Sequence, residues 1–227
     1  MARVKKSETF TKICKECGTP ALKNSTICTE CGTDIKSSSG MSTVVPIRGK
    51  KNIDAMKTYL KEKSLRDWAL FTLGINSALR ISDLLKLKIS DVMDENGKIR
   101  ERILVTEIKT SKRKNFPLNK SVIDALTEYI ASVKPSQTVL FASRKGNEAI
   151  TRQQSHVIIS NAAKECNVPG PCSNHSLRKT FATALYESGV DLTRIQSLLN
   201  HSSPKETIRY IGLNQLQNDQ IYLNLNL

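Results

Sequence analysis

Apolar residues recur at three- and four-residue spacing along much of the chain after residue 50, which predicts a domain built chiefly of helices. Ile53, Met56, Tyr59 and Leu60 share one face of segment 52–63, with Asn52 placed to cap it. Ser64 can cap the next helix, 65–78, and the run WALFTLGINSAL (68–79) within it is so uniformly apolar that it predicts burial. A short helix opens ISDLLKLKISDV (81–92), and further helices are predicted over 118–133, 151–166, 175–188, 192–199 and 204–211. The rhythm changes in one region. Asn96-Gly97 is a hairpin turn, IRERILVTEIKT (99–110) reads as a strand, and the cationic turn SKRKN (111–115) leads back through the short strand FPL (116–118). VLFAS (139–143) is a brief extended piece, and the tail 212–227, polar with interleaved leucines, reads as one more short helix or a strand. The fold class is α+β, mostly helical with a small antiparallel β-sheet.

The first fifty residues follow a different logic. Cys14/Cys17 and Cys28/Cys31 form two CxxC pairs, each followed by glycine (CKECG and CTECG). A CxxC turn points both sulfurs at one ion, and the glycine allows the backbone to turn its amides toward them. Four thiolates suit a tetrahedral, closed, structural Zn²⁺ site, one ion per chain. A pair of redox dithiols and a degenerate site that has lost its metal are the other readings of such spacing, and the mirrored context of the two pairs argues against the redox one. So short a segment holds little apolar material, so the ion supplies most of its folding energy. The expected organisation is a zinc ribbon over 1–36, a Ser/Thr/Gly-rich flexible linker over 37–50, and a second domain over 51–227.

Composition narrows the partners. With 227 residues and 39% apolar content the chain has enough for a core, which excludes a fully disordered protein. No apolar stretch approaches the roughly 20 residues that a bilayer demands, and MARVKKSETFTKIC lacks the apolar region of a secretory signal, so the expected location is the cytoplasm with no membrane partner. Lys plus Arg number 35 against 21 Asp plus Glu, a net charge of +14. Residues 1–50 hold nine basic and four acidic side chains, so the excess continues well beyond the N-terminal segment. A protein this basic is drawn to polyanions, nucleic acid above all.

Three segments carry polar residues in apolar settings. In SALRISDLLKL (77–87), Arg80 follows a buried-looking helix and Asp83 lies three residues on, able to hold a donor-rich guanidinium fork. In NHSLRKTFATALYESG (174–189), His175 and Arg178 share one face at a helix N-terminus, where backbone N–H groups favour anions. In LLNHSSPKETIRYIG (198–212), His201 sits at a helix–helix turn and Tyr210 nine residues later. Taken singly, these also read as a surface ion pair, a capping His with a surface Arg, and a core Tyr.

Together they resemble the catalytic domain of the tyrosine recombinases, the phage-integrase family. ALRISDLLKL is similar to the first-arginine box, HSLRKTFATAL to the His-x-x-Arg box, and LLNHSSPKETIRYIGL to the closing box, over about residues 50–215. The resemblance implies an active site of Arg80, Lys109, His175, Arg178, His201 and Tyr210. EIKTSKRKNFPL is similar to the family's β-hairpin lysine segment, which points to Lys109, with Lys112 as the other candidate. The implied activity is site-specific recombination or integration: Tyr210 attacks a phosphodiester to give a covalent 3′-phosphotyrosine, the two arginines bind the phosphate, His201 donates to it, His175 accepts the tyrosine proton or positions its neighbours, and Lys109 protonates the leaving 5′-hydroxyl. Asp83 then orients Arg80, and catalysis needs no cofactor. The implied partners are double-stranded DNA, three further copies of the chain in a tetramer on two DNA sites, and an accessory DNA-bending or directionality protein.

Two departures from the family pattern stand out. Asn200 replaces the glycine of the usual Leu-Gly-His, although Asn tolerates the left-handed backbone of a helix cap. The helical core-binding domain of about a hundred residues that usually precedes the catalytic one has no counterpart in residues 1–50. A non-catalytic zinc-ribbon DNA-binding regulator that keeps the fold is the alternative reading. The presence of all six active-site residues disfavours it.

Overall fold

The apolar segment after Ser64 becomes the central helix of the domain. The computed structural model describes residues 10–14, 19–22, 27, 28, 30, 44–144 and 146–211. In chain order the described elements are β1 (Phe10–Ile13), β2 (Pro20–Leu22), α1 (Lys50–Lys63), α2 (Leu65–Ser77), α3 (Ile81–Leu84), α4 (Ile89–Val92), β3 (Arg102–Thr106), β4 (Arg113–Pro117), α5 (Lys120–Ala131), α6 (Arg152–Glu165), α7 (Asn174–Glu187), α8 (Leu192–Leu199) and α9 (Pro204–Ile211). None of these helices is long and apolar enough to cross a membrane.

Helix α2 starts at Ser64, whose hydroxyl accepts from the Asp67 amide, and it packs against α1, α5 and α7. Leu70 and Leu73 face Val122, Ala125 and Leu126 of α5 together with Ile103 of β3, while Phe71 and Ile75 face Met56, Leu60, Ile159 and Leu177. Each such side chain taken wholly out of water stabilises the fold by about 2 kcal/mol before chain entropy is counted. Gly74 sets how closely α2 and α7 approach: a Cβ there would lie 2.7 Å from Leu177 Cδ1. A third apolar cluster, Ala78, Ala182, Ile195, Leu199 and Ile211, gathers α7, α8 and α9 around the end of α2.

The hairpin β3–β4 is antiparallel with Ile103 opposite Phe116 and Val105 opposite Lys114. The cationic stretch expected as a turn is shorter than its sequence suggests. Arg113–Pro117 is strand, and the chain reverses over 107–112, where the Ser111 amide donates to the Glu107 carbonyl and Ser111 adopts φ 54°. Strand alternation explains the difference: Lys114 and Phe116 turn toward the domain while Arg113 and Asn115 are exposed. The Asn96-Gly97 turn forms as expected, with Gly97 at φ 77° and Met93 bridging Ile99.

The second half of the segment expected as a linker packs in part against the helical domain. Residues 37–43 lie outside the described residues, and 44–47 are packed, with Val44 and Ile47 buried. Their polar groups are also satisfied by the helical domain: Val45 N donates to the Pro171 carbonyl (3.0 Å), Ile47 N to Thr180 Oγ1 (2.8 Å), and Lys179 Nζ to the Val44 carbonyl (2.8 Å). The apolar pair Val44 and Ile47 overrides the small polar residues around it. In the N-terminal segment β1 and β2 pair antiparallel, Cys14 N donates to the Thr19 carbonyl, and Glu30 is ion-paired to Arg152 of α6 at 2.6 Å.

Candidate active site

Local backbone geometry aims the two arginines at one point. Helix α2 ends with Ala78 in the left-handed region (φ 54°, ψ 16°), and the chain then extends through Arg80 at the start of α3. Arg178 lies one turn after His175 in α7, whose first turn is capped by Ser173. The Arg178 side chain is buried. Its Nη1 donates to the Ala78 carbonyl at 2.5 Å and its Nη2 to the Leu199 carbonyl, so one guanidinium ties the end of α2 to the end of α8.

Between the guanidiniums sits a carboxylate that sequence reasoning did not single out. Glu107, at the end of β3, is fully buried, with Oε2 3.1 Å from Arg80 Nη1 and Oε1 3.8 Å from Arg178 Nη1. It also accepts from Thr110 Oγ1 (2.7 Å) and Asn200 Nδ2 (2.9 Å). Burial pushes its carboxyl upward, but these two donors and the two guanidiniums prevail and hold it below the usual range, so it is ionised. Asp83, expected to orient Arg80, accepts from the Ile108 amide at 2.9 Å and so holds the hairpin tip, while its carboxyl also feels the charges of Arg80 and Arg178. Burial and the neighbouring Glu107 raise its carboxyl. Arg80 is extended at the helix start, and its guanidinium reaches Glu107 at the base of the hairpin turn.

A second residue absent from the sequence-derived set is Lys114. It faces inward from β4, and its Nζ donates to the Leu198 carbonyl at 2.9 Å. Burial, together with the charges of Arg178 and Arg80, lowers it to about 8. Lys109 lies in the exposed hairpin turn and Lys112 just beyond it. The charge of Lys109 is felt by Glu206 of α9.

The closing segment completes the cluster. Asn200 caps α8 in the left-handed region (φ 51°, ψ 37°), as its tolerance for that conformation leads one to expect. His201 Nδ1 lies 3.0 Å from Thr207 Oγ1, and its Nε2 is 4.0 Å from Glu206 Oε1. Burial, reinforced by the positive charges of Arg178 and Arg80, lowers the imidazole to about 4, so it is neutral near pH 7. Tyr210 packs edge-on with the His201 ring at 5.1 Å between centroids, and Lys179 Nζ is 5.6 Å from the tyrosine ring. Its phenol is near enough to act electrostatically on Arg178. Arg80, Arg178, His201 and Tyr210 therefore converge. His175 sits in the first turn of α7, partly exposed, with its amide on Ser173 Oγ. Of the four candidate zinc ligands, Cys14 and Cys28 are buried, while Cys17 and Cys31 lie outside the described residues.

Two guanidiniums backed by a carboxylate, beside a neutral imidazole and a phenol, have the chemistry to bind an anion and to present a nucleophile to it. The family model described as the phage integrase family matches residues 49–217. The chain belongs to that family. Site-specific recombination by an enzyme of the tyrosine class is the activity this membership carries. The probable integrase/recombinase YoeC of Bacillus subtilis is 38% identical over 175 residues, covering 77% of this chain and 93% of that protein. Tyrosine recombinase XerD of Listeria innocua is 31% identical over 165 residues, 70% of this chain but only 54% of the relative. In three dimensions the chain resembles the XerA recombinase (TM-score 0.65, 23% identity, 82% of this chain and 67% of that one) and a lambda integrase dimer bound to a core site (TM-score 0.57, 18% identity, 77% and 62%). These likenesses agree on the fold. The chain spans nearly all of YoeC and about half the length of the XerD protein.

Proposed function

We propose that the protein cleaves and rejoins double-stranded DNA through a 3′-phosphotyrosine. The observation that carries this is the convergence of Arg80 and Arg178 on Glu107, with the Tyr210 ring against His201. Arg80 Nη1 is buried without a well-aligned hydrogen bond, although it is ion-paired, so it retains capacity for an incoming oxyanion. The phenol oxygen attacks phosphorus, the bond from phosphorus to the 5′-oxygen breaks, and the phosphate charge that grows is met by the two guanidiniums. The tyrosine proton passes to His175, and Lys109, on the exposed turn of the hairpin, supplies the proton that the departing 5′-oxygen takes up. Reversal of the same steps by another strand's 5′-hydroxyl reseals the backbone. His201, neutral by burial, donates one ring N–H to the phosphate.

Strand exchange needs four active sites, so the working assembly is a tetramer on two DNA sites, joined by an accessory DNA-bending or directionality protein. The N-terminal segment binds one structural Zn²⁺ through Cys14, Cys17, Cys28 and Cys31. Four thiols are a donor set that suits zinc, and the two that lie among the described residues, Cys14 and Cys28, are both buried. When bound, the ion supplies folding free energy to the segment. The decisive experiment is trapping on a nicked suicide DNA substrate. The wild-type chain should give a covalent protein–DNA band and Tyr210→Phe none; a band from Tyr210→Phe, or none from wild type, overturns the reading.

A further inference from the structure

Three successive residues at the end of α8 are each bonded to a different part of the active site. The Leu198 carbonyl accepts from Lys114 of β4, the Leu199 carbonyl accepts from Arg178 of α7, and the Asn200 side chain donates to Glu107, just after β3. The next residue is His201, which leads into the tyrosine-bearing helix.

Asn200 stands out among these because its backbone does not require it. At φ 51° glycine is the conformationally easiest residue, and glycine would cap α8 equally well. Glycine, however, has no side-chain donor. Asparagine is the residue that combines tolerance of the left-handed region with an amide N–H₂. Here that amide lies 2.9 Å from Glu107 Oε2, the same oxygen that is 3.1 Å from Arg80 and accepts from Thr110. Glu107 is fully buried and its other oxygen faces Arg178, so a rotation of this carboxylate shifts both guanidiniums. Thr110 belongs to the hairpin turn that also carries Lys109, so the same carboxylate links that turn to the arginines.

We infer that Asn200 is a positioning residue that fixes the Glu107 carboxylate and thereby sets the orientation of Arg80 and Arg178 toward the scissile phosphate. The inference rests on the reading of those arginines as a phosphate clamp. Asn200 thus does two separable jobs, a backbone cap that glycine reproduces and a hydrogen bond that glycine cannot make.

The separation supplies the test. In the full-length chain, Asn200→Gly should remain folded, with a wild-type circular dichroism spectrum and wild-type DNA affinity, while slowing covalent trapping roughly ten- to a hundredfold, the scale of a hydrogen bond to a charged group. Asn200→Asp keeps the cap, removes the donor and sets a second carboxylate against Glu107, so it should be slower still. Glu107→Gln should also be slow, and adding Asn200→Gly to it should cost little more, because the two residues act through one bond. Trapping by Asn200→Gly at the wild-type rate overturns the inference while leaving the tyrosine mechanism intact. So do losses from the two substitutions that simply multiply. A wild-type chain that forms no covalent complex at all overturns the mechanism, and this inference with it.

Discussion

The His201 ring meets Tyr210 edge to face, with planes 77° apart and centroids 5.1 Å from one another. The contact places an imidazole, kept neutral by its surroundings, beside the proposed nucleophile and within reach of the charges of Arg178 and Arg80. The groups facing His201 are Glu206 and Glu107, which favour its protonation, and the two guanidiniums, which oppose it.

This has a consequence for pH. The folded-state imidazole titrates near 4, below its ordinary 6.5, so between those values the unfolded chain binds a proton that the folded one does not. The contribution to stability is therefore present above about pH 6.5 and is lost as pH falls toward 4, by at most about 3 kcal/mol. In urea melts across pH 4 to 7, His201→Gln should show a shallower decline than wild type. A bound phosphate reverses the local field, so the His201 resonance followed by NMR should titrate higher when DNA is added.

Three hairpin lysines can be told apart by their chemistry. Lys109 is exposed in the turn, Lys112 lies beyond it, and Lys114 is held on the Leu198 carbonyl. If Lys109 protonates the leaving 5′-oxygen, Lys109→Met should slow cleavage by roughly 10²- to 10⁴-fold. Replacing the bridging 5′-oxygen of the substrate with sulfur, a leaving group that needs no proton, should restore most of that loss. Lys112→Met should stay close to wild type. Lys114→Met should be slow on both substrates, since its role is to fix the end of α8. Rescue of Lys114→Met by sulfur would move the proton donor to Lys114.

The sequence displayed the arginines, His201 and Tyr210 because their order and spacing survive any detail of folding. Glu107 was concealed by its neighbours in a strand read as lysine-bearing. The signal was present nonetheless: Ile103, Val105 and Glu107 follow the two-residue period of a strand, so the acid continues the buried face and needs cationic partners there. Lys114 was hidden by counting SKRKN as a turn, whereas its register opposite Val105 turns it inward. The packing of 44–47 is invisible in local polar composition, because Thr180 and Lys179, which satisfy its backbone, lie more than a hundred residues away.

The zinc reading makes a measurable demand. One equivalent of Zn²⁺ should copurify with the chain, and Cys14→Ser or Cys28→Ser should lose it. The helical domain has its own apolar clusters, so circular dichroism should show most helix retained when a chelator strips the ion. A chain purified without zinc, or one whose cysteine variants keep it, would refute the assignment.

The approach of α2 to α7 positions both arginines, since Arg80 follows the first helix and Arg178 lies on the second. Gly74→Ala places a methyl 2.7 Å from Leu177 Cδ1, inside van der Waals contact, in a fully packed core. The added methyl should destabilise the fold by about 1–3 kcal/mol, read as a lower urea midpoint with unchanged slope. Shortening the opposing side chain relieves the clash at the expense of its own buried surface, so Gly74→Ala with Leu177→Val should lose less than the two single changes added together. Cleavage provides the second measurement. A helix pushed outward carries its arginine with it, so Gly74→Ala should slow covalent trapping even where the protein is fully folded, and the double variant should recover part of that rate. Full activity in a destabilised Gly74→Ala chain would show that the spacing of the two helices supports the core without setting the geometry of the clamp.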